Sequence, residues 1–98
     1  MTFTIHLTDA AKDSLKDLKY SSHLEKRYKA VTKTFRLLSQ NPKHPSLQTH
    51  KYHSLEGPYG EEIFEAYAEQ DTPCAYRVFF FYGPKRGEIT IFAITSHP

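Results

Sequence analysis

The chain has 98 residues, 39% of them hydrophobic and 14% aromatic, and a formal net charge of +2. That suffices for one domain around one core rich in Phe and Tyr, and it excludes a disordered chain. The weak positive balance permits a nucleic-acid partner without arguing for one, and the single cysteine, Cys74, excludes an internal disulfide.

The first element in chain order is "TFTIHL", Thr2 to Leu7, whose alternation predicts a short strand. "TDAAKDSLKDLKY" follows as a helix, with Thr8 as N-cap, Asp9 in the first turn, and Ala11, Leu15 and Leu18 on one apolar stripe. "SSHLEKRYKAVTKTFRLLSQNP" reads as a second, longer helix. Ser22 and Glu25 form a capping-box pattern at its start, and Leu24, Tyr28, Val31, Phe35 and Leu38 fall on its core face. Asn41-Pro42 ends it, because a residue before proline avoids the helical region. The short connection makes the two helices an antiparallel hairpin.

The second half predicts four strands, "THKYHSL", "EEIFEAYAE", "AYRVFFFY" and "EITIFAITS". They are separated by the turn segments "EGPYG", "QDTPC" and "GPKRG". Short loops make an antiparallel meander. Strand, helix hairpin, then meander is an α+β order with the helices on one face of the sheet, a two-layer fold spanning residues 1–98 as a single domain. The opening residues show no basic leader and no stretch reaches the ~20 apolar residues of a membrane span, so a cytoplasmic domain with no membrane partner is expected.

Counting outward from the turns predicts which polar residues meet. Arg77 falls opposite about Ala93 on one side and about Tyr67 on the other, with Glu65 and Glu69 flanking it. Tyr67 falls beside His50 or Lys51, and Glu65 beside His53. His97 shares parity with Arg77 across the last hairpin and is expected to be ordered on the same face. His50, His53, Glu65, Tyr67, Glu69, Arg77 and His97 thus gather at one end of the sheet. An arginine entering the "VFFF" strand needs a counterion, and the glutamates are the nearest supply.

The cluster reads in two ways. As structure, Arg77 pairs with a glutamate, Tyr67 packs and the histidines are exposed. As a site, it has what RNA phosphodiester cleavage needs: a base for the 2′-hydroxyl, a cation for the charge on phosphorus and an acid for the leaving oxygen. Arg77 then binds phosphate and His97 transfers a proton, with Glu65 or a histidine of the 50–53 segment as complement. His44, His50 and His53 lie close in sequence, but no cysteine or carboxylate stands at ligand spacing, so no metal and no cofactor are expected. Cys74, beside Pro73, has no activating pattern. Lys26, Lys29, Lys33 and Arg36 make a basic stripe on the second helix, either a solvated face or a contact for RNA or an acidic partner.

Three segments resemble the RelE/ParE superfamily of toxins from bacterial toxin–antitoxin pairs. "NPKHPSLQTHKYHSLEG" resembles the family's segment after the second helix, which ends in Leu-x-Gly. "YRVFFFY" resembles its Tyr-Arg-hydrophobic strand, and "ITIFAITSHP" its terminal strand. The resemblance implies a RelE-like fold, an antitoxin that wraps the domain, and either mRNA cleavage on the ribosome or, in the ParE-like branch, inhibition of gyrase. On the matching positions it implies Arg77 as the phosphate-binding and His97 as the proton-transferring residue; the reading of the residues themselves adds Glu65, His53 and Tyr67 as their complement, and His50, Lys51, Lys33 and Arg36 as substrate contacts. Glu62, Glu65 and Glu69 stand where RelE enzymes carry lysines and arginines, and Pro98 where many active members carry a tyrosine. Both departures fit the alternative of a non-catalytic binding module.

Overall fold

The computed structural model describes residues 2–70 and 75–96. The order is β1 (Thr4–Leu7), α1 (Asp9–Tyr20), a 3-10 turn (Ser22–Leu24), α2 (Glu25–Gln40), a second 3-10 turn (Pro45–Leu47), β2 (His50–Glu56), β3 (Glu62–Tyr67), β4 (Tyr76–Tyr82) and β5 (Glu88–Ser96). The strands form one sheet in the order β1-β5-β4-β3-β2. The antiparallel meander is as expected. The sheet gains a fifth strand because β1 pairs in parallel with β5, Ile5 beside Ile89.

Thr8 caps α1 by accepting a hydrogen bond from the Ala11 N–H at 3.2 Å, and its own hydroxyl donates to the Phe92 carbonyl at 3.1 Å. The start of α2 differs from the expectation. Ser22 to Leu24 turn in a 3-10 conformation, the helix begins at Glu25, and no side chain caps it. A capping box needs Ser22 in an extended N-cap geometry. Here Ser21 is the extended residue, so Glu25 is the first helical residue rather than the third.

Both helices cover one face of the sheet. Ala11, Leu18, Val31 and Leu38 meet Ala66, Val78, Phe80, Ile89, Ile91 and Ile94 in the main core. Ile89, Ile91 and Ile94 do not keep a period of two, and a bulge explains why. Phe80 pairs with Ile91 and Phe79 with Ala93, so Phe92 is an extra residue that resets the alternation of β5. A smaller cluster of Ile63, Phe79 and Phe81 lies on the opposite face, with Tyr52, Phe92 and Ala93 packed on it. The apolar run of β4 is therefore buried on both faces, as its sequence predicts.

Candidate functional site

β3 and β4 pair with Tyr67 opposite Arg77, as the turn count predicts. Two other counted neighbours are corrected. Arg77 faces Thr95 rather than Ala93. The last turn closes on Tyr82 and Ile89, which moves the register by one residue, and the bulge at Phe92 moves it by one more. Glu65 faces His50 rather than His53. Counting from the turn holds at Glu56 opposite Glu62, but β2 then takes five steps to Lys51 while β3 takes two to Phe64. β2 takes up the three surplus residues as an irregularity between Lys51 and Glu56, His50 moves into the place counted for His53, and His53 stands exposed in a cavity lined also by Glu56, Glu61 and Glu62.

Arg77, Glu65 and His50 share the face away from the helices. The Glu65 side chain is only 3% exposed. One of its carboxylate oxygens accepts from an Arg77 terminal nitrogen, and the other lies 2.7 Å from His50 Nε2. A buried carboxylate is tolerable only when its oxygens are hydrogen-bonded and its charge matched; the Arg77 cation matches the charge, and Arg77 and His50 contact one oxygen each. The guanidinium also lies over the Phe79 ring, 5.4 Å from its centroid. The fit is incomplete at one atom. Among the described residues, Arg77 Nε is buried and has no hydrogen-bond partner. An unmatched buried donor costs about 1–3 kcal/mol.

His50 is held from both sides. Its Nδ1–H donates to the Gln48 carbonyl at 2.9 Å, and its Nε2 faces the Glu65 carboxylate. Both ring nitrogens face acceptors, so making both hydrogen bonds at once takes the doubly protonated ring. Gln48 reaches this position through a left-handed backbone, φ +47°. The Tyr67 ring lies against His50, centroids 5.8 Å apart.

The remaining residues divide. Glu69 belongs elsewhere: it accepts from the Tyr76 N–H at 3.1 Å and pairs with Arg27 at 3.5 Å. Lys51 is exposed and pairs with Glu62 at 3.1 Å. Lys33 lines a cavity of about 220 Å³ that also touches Tyr67. Arg36 is exposed on α2, outside that cavity. His97 and Cys74 lie outside the described residues. Sequence reasoning missed the double role of Glu65, because the signal for it, the irregularity in β2, comes without a glycine or proline to mark it.

This two-layer arrangement, with a helix hairpin on one face of a five-stranded sheet, is a fold shared with solved RelE and YoeB/ParE toxin structures. The chain is similar to a chain of an archaeal RelE–RelB complex from Pyrococcus horikoshii OT3, at 20% identity and a TM-score of 0.66 over 98% of this chain and 96% of that one. It is similar to a YoeB/ParE toxin from Agrobacterium tumefaciens, at 8% identity and a TM-score of 0.71 over 98% and 100% of the two chains. A YoeB dimer from Staphylococcus aureus matches over 100% of both chains, at 13% identity and a TM-score of 0.63. No family model matches the sequence, and no curated protein does.

Proposed function

We propose that the protein is a RelE-type toxin that cleaves mRNA, on the ribosome or free, without a metal ion. The observation that carries the reading is the Arg77 guanidinium, fixed by the buried Glu65 through a terminal nitrogen on the face away from the helices, with 13% of its side chain still open to solvent. A guanidinium held in this way suits a phosphate oxygen at its open edge. In the reaction the 2′-hydroxyl loses its proton and its oxygen attacks phosphorus. The 5′-oxygen then leaves with a proton, giving a 2′,3′-cyclic phosphate and a 5′-hydroxyl. Arg77 stabilises the charge on the phosphoryl oxygens. His50, doubly hydrogen-bonded in its protonated form, is set to give a proton rather than take one. His97 is the candidate for the opposite transfer, with Tyr67 at the edge of the site. The RelE–RelB complex among the similar structures supports a partner protein of the antitoxin kind for this chain.

The test is cleavage of a defined mRNA, free and on programmed ribosomes, with end-group analysis of the products. Arg77→Ala is expected to lower the rate by about 10²-fold or more. Intact mRNA in both settings across a range of pH refutes the enzyme. A non-catalytic binding module then becomes the better reading, and one observation already favours it: Glu65 neutralises the arginine that substrate needs.

A further inference from the structure

The edge strand β2 separates two surfaces. His50 pairs with Glu65 on the Arg77 face, and the next residue, Lys51, pairs with Phe64 on the face toward the helices. Successive strand residues point to opposite faces. On the Lys51 side lies a cleft of about 450 Å³ between the 43–49 loop and the sheet. That falls within the size range of small-molecule sites, about 300–1,000 Å³.

The floor of the cleft is aromatic. Phe64 and Tyr82 meet edge to face, centroids 5.2 Å apart, and Tyr82 remains 40% exposed. The rim is basic: Lys43, His44, His50 and Lys51 line it, and among the described residues no carboxylate does. Lys51 is tied to Glu62 in an exposed pair, worth little and easily exchanged, while Lys43 has no ion-pair partner among the described residues. His44 Nδ1 accepts from the Ser46 N–H at 3.1 Å, so the proton of the neutral ring sits on Nε2 as a donor. The wall is preformed. Thr49 donates to the Pro42 carbonyl at 2.7 Å, and Gln70 bridges Gln48 and the Ser46 carbonyl at 3.1 and 2.6 Å.

A π-face with cations around it and no anion is the chemistry of single-stranded nucleic-acid binding, in which the base stacks and the backbone is neutralised. We infer that the cleft between the 43–49 loop and Phe64–Tyr82 is a subsite for a nucleotide flanking the one held at Arg77, with its base on Tyr82 and its phosphate at Lys43 and Lys51. The inference rests on the RNA-cleavage reading. β4 and β2 are separated by two strand spacings, roughly 10 Å, so an RNA strand on Arg77 passes over the β2 edge at His50 to reach the cleft.

The test uses the full chain and a short 2′-O-methyl oligoribonucleotide, which cannot be cleaved, carrying 2-aminopurine whose fluorescence is quenched by stacking. Wild type is expected to bind and quench it. Tyr82→Ala should weaken binding by roughly 5- to 100-fold and abolish the quench. Lys43→Glu should weaken binding and flatten its salt dependence, and Arg77→Ala should weaken binding yet keep the quench. Circular dichroism checks that each variant is folded. If mRNA is cleaved but Tyr82→Ala and Lys43→Glu bind and quench like wild type, the subsite is wrong and the cleavage reading stands. If wild type leaves the probe unquenched while an added partner protein shifts the Tyr82 ring resonances, the cleft belongs to a protein and the subsite is overturned.

Discussion

Replacing Glu65 by leucine strands the Arg77 guanidinium. The arginine side chain is 13% exposed and the glutamate 3%, so the pair is largely removed from water. Breaking a buried pair by deleting one partner costs about 3–5 kcal/mol, mostly the penalty of the charge left behind. The lower end applies here, because the outer edge of Arg77 still reaches solvent and because His50, with 47% of its side chain exposed, can hydrate when it loses the carboxylate. At about 4–8 °C per kcal/mol for a domain of this size, a loss of about 3 kcal/mol lowers Tm by about 12–24 °C. The assay is urea unfolding at neutral pH followed by far-ultraviolet circular dichroism, with thermal melts in parallel. The informative partner is the double variant Glu65→Leu/Arg77→Met. Removing both charges exchanges an ion pair for apolar contact with Phe79, and such exchanges are often neutral or stabilising. The double variant should therefore recover most of the loss. A single variant within about 1 kcal/mol of wild type, or a double variant no more stable than the single, refutes the claim that Arg77 is buried at the expense of Glu65.

Thr8→Ala removes the cap of α1 and the bond to the Phe92 carbonyl, and should cost about 1–2 kcal/mol in the same unfolding assay. Ser22→Ala should stay within about 0.5 kcal/mol of wild type, since no capping bond forms there. Phe80→Ala should cost about 3–5 kcal/mol, because the ring is fully buried between the sheet and the helices. Burial raises the Tyr82 phenol above its ordinary value of 10.0. Its neutral form is thus favoured in the folded state, the folded protein holds the proton longer, and stability falls as pH climbs from about 10 through the raised value. Tyr82→Phe should lose less stability than wild type over that alkaline range, measured by urea unfolding at stepped pH.

The sequence made the helix hairpin and the meander legible because those elements depend on local signals. Val31 and Leu38 recur at helical spacing and are fully buried, and Phe79 and Phe80 sit in an unbroken apolar run that predicts cover on both faces. The pairing of Tyr67 with Arg77 followed from turn chemistry alone. Register failed wherever a strand took up surplus residues. Phe92 looks like any other β5 residue, yet it moves the neighbour of Arg77 to Thr95. Tyr52 to Leu55 read as a regular strand, yet their excursion exchanges His53 for His50 at Glu65. A bulge is a compromise between two strands and is settled by packing on both, so neither strand's sequence announces it by itself. The cap of α2 failed for a related reason: the Ser22 and Glu25 spacing was right, but the chain leaving α1 at Tyr20 enters a 3-10 turn first.

The parallel pairing of β1 with β5 has a consequence in time. Thr4 sits beside Glu88 and Leu7 beside Ile91, so β1 has no sheet partner until residues more than eighty positions later have been made. At about 5–20 residues per second, translation takes roughly 4–17 s to cover that distance. The hairpins of β2, β3 and β4 can form in that interval, but the sheet stays open at the β4 edge, with Phe79 and Phe81 still lacking the strand that covers them. The order of synthesis therefore delays closure of the sheet until β5 has been made, and any protein that recognises the open edge must act within those seconds.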